Sequence, residues 1–146
     1  MPPFRFRLSK VLEWYSQQCR LEEERLHQRS ASLSRARTDF NQAQQTRLTA
    51  ESDLMGAKIL PAPELIALSR YRHRALQSER RLAEHVAQRE REWREQLAAV
   101  QESRRRVRLL EKIRQRKLQE HSAELDRELE ELAADAFRAA AHSASL

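Results

Sequence analysis

The sequence predicts an all-α fold, an antiparallel two-helix coiled-coil hairpin in which the C-terminal helix is the longer one. One reason is a turn signal in the chain, where the only glycine, Gly56, is followed by Pro61 and Pro63. A second is that the residues on either side favour helices and place apolar side chains at seven-residue spacing. We therefore expect a single helical hairpin over residues 1–146, composed of helix 8–56, turn 57–62 and helix 63–140.

The composition favours long helices over a compact domain. Charged residues make up 34% of the chain and aromatic residues 5%, and the mean hydropathy is −0.86. A compact domain of this length needs more large apolar side chains, whereas two helices that share a narrow seam need far fewer. Disorder is the competing interpretation of so polar a chain, and the regular apolar spacing argues against it.

The first predicted helix carries the seam of a coiled coil, in which the core positions alternate in steps of four and three. One seven-residue series contains Leu12, Cys19, Leu26, Leu33, Phe40, Arg47 and Leu54. A weaker companion series contains Leu8, Tyr15, Glu22, Arg29, Ala36, Ala43 and Ala50. We expect both series to face the second helix.

The residues around the turn fit the ends of the two helices. Gly56 suits the left-handed conformation just past a helix C-terminus, where a side chain would clash. Pro63 suits the first turn of the second helix, where its missing N–H group would have no partner. Glu64 follows it and places an acid at the positive end of the helix dipole.

The second predicted helix has a seam that changes register. Its first part repeats at Val86, Trp93, Val100 and Val107, with an earlier companion series at Leu68, Ala75 and Leu82. Another seven-residue series contains Leu118, Leu125 and Leu132, and the step from Val107 to Leu118 is eleven residues. Such an insertion of four residues is a stutter, which locally relaxes the supercoil. We expect the residues after Ala139 to fray.

The two predicted helices differ in length, with about 70 Å in the first and about 115 Å in the second at roughly 1.5 Å per residue. A reversal near residue 59 brings Leu8 close to Leu110 and leaves the rest of the second helix without an intramolecular partner. An apolar stripe nevertheless continues there, at Leu118, Leu125, Leu129, Leu132 and Phe137. We expect this stripe to be a docking face.

Charge changes sign along the second helix. The formal net charge is +6, and cations concentrate in a basic block over residues 104–117, where Glu111 is the only acid. Residues 118–135 carry seven acids and one cation, Arg127. A solvated helix face explains the basic block as well as a binding surface does, but the abrupt change of sign favours charged partners.

No catalytic, cofactor or metal site is predicted, and we do not expect an enzyme. The five histidines are far apart in sequence, and one glycine cannot build a glycine-rich phosphate loop. The only cysteine, Cys19, lies on the predicted seam, where a buried structural thiol is expected. A single cysteine excludes an internal disulfide and favours a reducing compartment. Neither a signal peptide nor a membrane span is predicted, so we expect a cytoplasmic protein.

Two stretches carry a family resemblance. The opening FRFRLSKVLE at residues 4–13 resembles a Phe-x-Phe-x-Leu-x-x-Val-Leu pattern that leads into a first helix. The segment LEKIRQRK at 110–117, followed by ELDRELEEL at 124–132, resembles a C-terminal Leu-Glu-Lys-Leu-x-x-Arg stretch with an acid-rich end. These patterns are similar to those of the flagellar export protein FliJ family, and the resemblance covers the whole chain in length and layout.

The resemblance implies a monomeric, stalk-like component of the flagellar type III protein export apparatus, peripherally associated with the inner-membrane flagellar base. Such a protein binds the hexameric export ATPase, promotes its assembly and activity, and links it to the export gate membrane protein and to export chaperones. From the residues themselves we expect no membrane insertion, because no long apolar run is present, and no specific nucleic-acid binding, because acids are mixed with the cations through most of both helices. The implied ATPase contacts are Phe4, Phe6, Leu8, Val11, Leu12, Lys112, Arg116, Leu118, Leu125, Leu129 and Leu132. The implied export-gate contacts are Tyr71, Ala75, Ser78 and Leu82.

Two alternatives remain open at this point. A basic helical nucleic-acid-binding protein would use the basic block, and its affinity for duplex DNA would fall steeply with salt. A generic coiled-coil scaffold would dimerise in parallel along the seams and would sediment as a dimer.

Overall fold

The computed structural model describes residues 1–56 and 59–145. Within these ranges the chain forms two helices, α1 (Ser9–Met55) and α2 (Ala62–Ala144), and no strand. Residues 57 and 58 of the predicted turn lie outside the described residues. α2 continues to Ala144, beyond the predicted helix end at residue 140, through a run of alanines that favours helix.

Gly56 does not adopt the left-handed conformation predicted for it. No described glycine has a positive φ, and the Gly56 N–H donates to the Ser52 carbonyl at 3.2 Å, which extends the helical hydrogen-bond pattern. At the start of α2, the N–H groups of Glu64 and Leu65 donate to the Pro61 carbonyl at 3.0 and 3.2 Å. The helical hydrogen bonds of α1 therefore end without the left-handed glycine that the sequence predicted.

Because Gly56 has a helical environment, Gly56→Ala is expected to raise the free energy of unfolding by about 0.4–1 kcal/mol, chiefly by restricting the unfolded chain. A Cβ atom at this position would lie 3.5 Å from the Asp53 carbonyl oxygen and 3.9 Å from that of Ser52, which are ordinary contacts. Urea unfolding followed by circular dichroism measures the change. A loss of stability would instead indicate that position 56 needs a left-handed backbone.

The two helices pack together in two compact units, which we describe separately. The first unit comprises Met1–Cys19 with Glu102–Leu146, and the second comprises Arg20–Gln101. Buried apolar residues occupy predicted seam positions in both, namely Cys19 in the first unit and Leu33, Ala36 and Val100 in the second. The seven-residue pattern therefore identifies the residues that pack between the helices.

Two predicted seam positions of α1 are wrong because they are exposed. Leu8 lies just before α1 and is 39% exposed, although it lines a groove against α2. Arg29 is exposed at the edge of the helix interface, where its Nη1 lies 3.0 Å from Oε2 of Glu92. Apart from the three buried residues named above, the remaining seam residues of α1 are half-buried. They are Leu12, Tyr15, Glu22, Leu26, Phe40, Ala43, Arg47, Ala50 and Leu54.

In α2 the predicted seam residues are also shielded, and polar residues complete the same pattern. Besides buried Val100, the half-buried ones are Leu68, Ala75, Leu82, Val86, Trp93 and Val107. Glu79, Arg89 and Gln96 follow the same seven-residue spacing and are buried or half-buried as well. An apolar pattern cannot detect these positions, because their side chains are polar.

The polar seam of the second unit is centred on Arg47. Its Nε atom donates to Oε1 of Glu79 at 2.7 Å, and its Nη1 lies 3.2 Å from the carboxylate of Glu51. The side chains of Arg47 and Glu79 are 12% and 8% exposed. The hydrogen bond to Glu79, followed by that to Glu51, raises the pKa of the Arg47 guanidinium. A charged arginine is thus stabilised inside the seam.

A second polar cluster joins the helices further along this unit. The Gln96 amide donates to the side-chain carboxylate of Glu22 and, at 3.0 Å, to its backbone carbonyl. Arg29 and Arg89 both donate to Glu92 at 3.0 Å. The hydrogen bond from Arg89 lowers the pKa of the Glu92 carboxyl, so this acid remains ionised as a partner for both arginines.

Across the described ranges, neither helix holds a segment apolar and long enough to span a bilayer.

Candidate protein-docking site

The candidate site lies on the C-terminal part of α2, in the first unit. Every residue from 122 to 145 is exposed. Four leucines in this region are 45%, 38%, 55% and 65% exposed, respectively Leu118, Leu125, Leu129 and Leu132. Steps of seven, four and three residues place them on one helix face. They form a continuous apolar surface, which we name the leucine stripe.

The non-helical N-terminal segment lies against α2 within the same unit. The ring of Phe4 packs edge to face on the ring of His121, with centroids 5.6 Å apart and an interplanar angle of 65°. Nε2 of His121 lies 3.1 Å from the carbonyl oxygen of Pro2, which accepts a hydrogen bond when Nε2 carries the proton. A groove of about 780 Å³ is lined by Phe4, Arg5, Phe6, Arg7, Leu8, Ile113, Lys117, Glu120, His121 and Glu124.

This segment covers more of α2 than the sequence predicts. The prediction ended the cover near Leu110, but the groove formed with the N-terminal segment reaches Glu124. Residues 1–6 are not helical, and extended chain advances up to roughly 3.3 Å per residue, against roughly 1.5 Å in a helix. A few residues before α1 therefore reach several turns along α2. The part of α2 beyond Glu124 carries three of the four stripe leucines.

The structure brings together some of the residues that the resemblance assigns to ATPase binding. Phe4 and Phe6 are half-buried, and together with Leu8 they line the groove against α2. Leu12 is half-buried on the seam, whereas Val11 is exposed. On α2 the exposed members of this set are Lys112, Arg116, Leu118, Leu125, Leu129 and Leu132. The N-terminal and C-terminal members thus belong to one compact unit.

Acidic side chains flank the leucine stripe. Exposed acids in this stretch include Glu124, Glu128 and Glu131. Two further acids pair with cations on the same helix, Glu120 with Lys117 at 3.0 Å and Asp135 with Arg138 at 3.1 Å. Exposed pairs of this kind contribute little to stability. A surface that covers the leucines would gain most from positive charge at its rim.

The residues assigned to export-gate binding belong to the second unit and do not form one exposed face. Tyr71 and Ser78 are exposed, but Ala75 and Leu82 are half-buried on the seam. Packing against α1 therefore leaves only two of the four residues exposed. Tyr71 also lines a groove of about 410 Å³ with Ala50, Leu54, Glu64, Ala67 and Leu68.

Sequence reasoning missed His121 and Ile113 as parts of the candidate site. Both line the groove beside the N-terminal segment, and His121 is half-buried in a stretch of α2 whose neighbours are exposed. No periodic pattern could identify them, because their contacts depend on where a non-helical segment crosses the helix. Comparison of the chain with protein-family models, with curated proteins and with solved structures gives no match.

Proposed function

We propose that this chain is an antiparallel two-helix coiled-coil hairpin that serves as a stalk-like protein of the flagellar type III export apparatus. Its leucine stripe and N-terminal segment bind the hexameric export ATPase and promote the assembly and activity of that ring. The observation that carries the proposal is the stripe itself, because four leucines on a regular helix remain in water. Burying a leucine fully contributes about 1.5–3 kcal/mol, so a partner that covers the stripe gains substantial free energy.

Contacts within each unit support the antiparallel arrangement. In the second unit the ion pairs that join the helices include Arg29–Glu92, Arg37–Glu90 and Arg47–Glu79. In the first unit the ring contacts are Phe4–His121 and Tyr15–Arg106. In both sets the α2 residue number falls as the other rises, which is the order expected of antiparallel helices.

The charge around the stripe supports a partner other than a second copy of the chain. Two stripes that packed together would bring their acidic flanks, including Glu124, Glu128 and Glu131, close to one another. Like charges at such positions disfavour self-association. A positively charged opening, such as the pore of an ATPase ring, complements these acids and also accelerates encounter. The basic block would then remain at the mouth of the pore and limit the depth of insertion.

The resemblance of residues 4–13 and 110–132 to the FliJ family supports the identity of the partner. It also implies a protein at the cytoplasmic side of the flagellar base, in contact with the export gate and export chaperones. Tyr71 and Ser78 are the two proposed gate residues whose exposure suits a contact of this kind.

The double substitution Leu125→Asp with Leu129→Asp is expected to abolish stimulation of the purified export ATPase. Both leucines are exposed, so the change should leave the helicity of the free chain intact while it removes the apolar contact. Steady-state ATP hydrolysis measures the stimulation, and circular dichroism checks the fold. The matched control is Leu48→Asp, since Leu48 is 47% exposed on α1 in the second unit.

Truncation after Leu110 tests the same site by a different route. The shortened chain should lose stimulation and keep a helicity proportionate to its length. Full stimulation by both the truncated chain and the double variant would overturn the proposal. Equal loss in the Leu48→Asp control would show that the effect is not specific to the stripe.

A further inference from the structure

A second exposed surface of the first unit combines apolar and basic side chains. Four large apolar residues are between 40% and 55% exposed there, namely Val11, Trp14, Leu109 and Ile113. Exposed large apolar side chains that adjoin one another mark an interaction surface more reliably than scattered ones do. This surface does not include the leucine stripe.

One contact between the helices lies beside these four residues. The rings of Trp14 and Tyr15 pack edge to face, with centroids 5.0 Å apart. Above Tyr15 lies the guanidinium of Arg106, 5.9 Å from the ring centroid. Leu109 and Ile113 follow Arg106 by three and seven residues and so share its helix face, as Val11 does with Trp14. The α1 and α2 pairs therefore meet across the Tyr15–Arg106 contact.

Cations surround this apolar surface. Residues 102–117 of α2 contain eight Lys and Arg and two Glu. Glu102 lies 3.3 Å from both Arg105 and Arg106, so one acid is shared by two arginines. The other acid, Glu111, lies between exposed cations. The surface thus keeps an excess of positive charge beside exposed apolar side chains.

We propose that this face of the first unit binds an anionic lipid surface. Each helix contributes apolar residues over only about one turn, whereas a docked partner helix needs anchors over two or more turns. A lipid surface does not need a long stripe. The indole of Trp14 suits the headgroup region, and long cationic side chains reach anionic headgroups while their stems cover apolar atoms. The protein would lie on the bilayer surface without crossing it.

Fluorescence of Trp14 tests this proposal directly. The only other tryptophan is Trp93, so Trp93→Phe leaves Trp14 as the single indole reporter. Vesicles of phosphatidylcholine with phosphatidylglycerol should shift its emission to shorter wavelength, and vesicles of phosphatidylcholine alone should not. Cosedimentation of the unaltered chain with the same vesicles repeats the measurement if Trp93→Phe disturbs the fold.

Two sets of variants assign the binding to this face. Trp14→Ala should weaken cosedimentation about tenfold, as expected for loss of one large interfacial side chain. Arg105→Gln with Arg106→Gln should weaken it by about fivefold per cation. The matched charge control is Arg80→Gln with Arg81→Gln, an exposed pair in the second unit that should have no effect. Leu129→Ala with Leu132→Ala should also leave lipid binding unchanged.

Several results would overturn the proposal. They are equal binding to neutral vesicles, absence of binding to anionic vesicles, equal losses in the control pairs, and a Trp14 shift produced by duplex DNA but not by lipid. No ATPase is present in these assays, and no vesicle is present in the hydrolysis assays. The lipid proposal and the stalk proposal can therefore fail independently.

Discussion

Leu33→Ala is expected to lower the free energy of unfolding by about 2–5 kcal/mol, the range for removing a buried leucine side chain. Leu33 is 5% exposed in the seam of the second unit, and it lines a groove with Trp93. Few residues in the described part of this polar chain are buried as deeply, so little other packing can compensate for the lost side chain. Urea unfolding followed by circular dichroism measures the loss.

The matched control for this prediction is Leu48→Ala on the same helix. Leu48 is 47% exposed, and surface substitutions of this kind usually change the free energy of unfolding by no more than about 0.5 kcal/mol. Similar losses for the two variants would mean that helix propensity, and not burial in the seam, determines the stability of this unit.

Glu79→Ala is expected to destabilise the second unit strongly, whereas replacing Arg47 and Glu79 together by leucine should largely preserve stability. The single change removes the 2.7 Å partner of Arg47 and leaves the guanidinium in the seam with Glu51. Replacing both members, as Arg47→Leu with Glu79→Leu, removes the buried charges together and supplies apolar packing. We expect the double variant to unfold at a higher temperature than Glu79→Ala and near that of the unaltered chain.

The pKa of Arg47 indicates the pH range over which this ion pair stabilises the fold. Glu79 and Glu51 raise that pKa in the folded state, so the stabilisation is present below the unfolded pKa of arginine and is lost only as pH rises through the folded value. Changing the pH on the alkaline side of neutrality should therefore leave the order of the two variants unchanged. A double variant less stable than Glu79→Ala would show that the seam needs a charged pair at this level.

Much of the helix pairing could be predicted because a seven-residue spacing nearly matches two helical turns. The pattern marked Cys19, Leu33 and Val100 as core residues, and all three are buried. The exposed leucine stripe could be predicted from the unequal lengths of the two helical segments. The first inference needed no knowledge of which residue lies opposite which, and the second needed only the position of the turn.

Features that depend on contacts between distant residues could not be predicted in this way. Glu79 is a charged residue in an ordinary helical sequence, and only the register between α1 and α2 makes it the buried partner of Arg47. The reach of the N-terminal segment to His121 depends on its non-helical path along α2. In both cases the interaction joins residues that are far apart in the chain.

The sequence alone determined the helix formers, the spacing of the seam residues and the change of charge along α2, because these are local properties of neighbouring residues. Tertiary structure decided that the Gly56 N–H keeps a helical hydrogen bond, that Arg47 has a buried acid beside it, and that the Phe4 ring packs on His121. The physical reason is that burial and electrostatic environment depend on the neighbours a residue acquires when α1 packs on α2, and periodicity within one helix does not specify those neighbours.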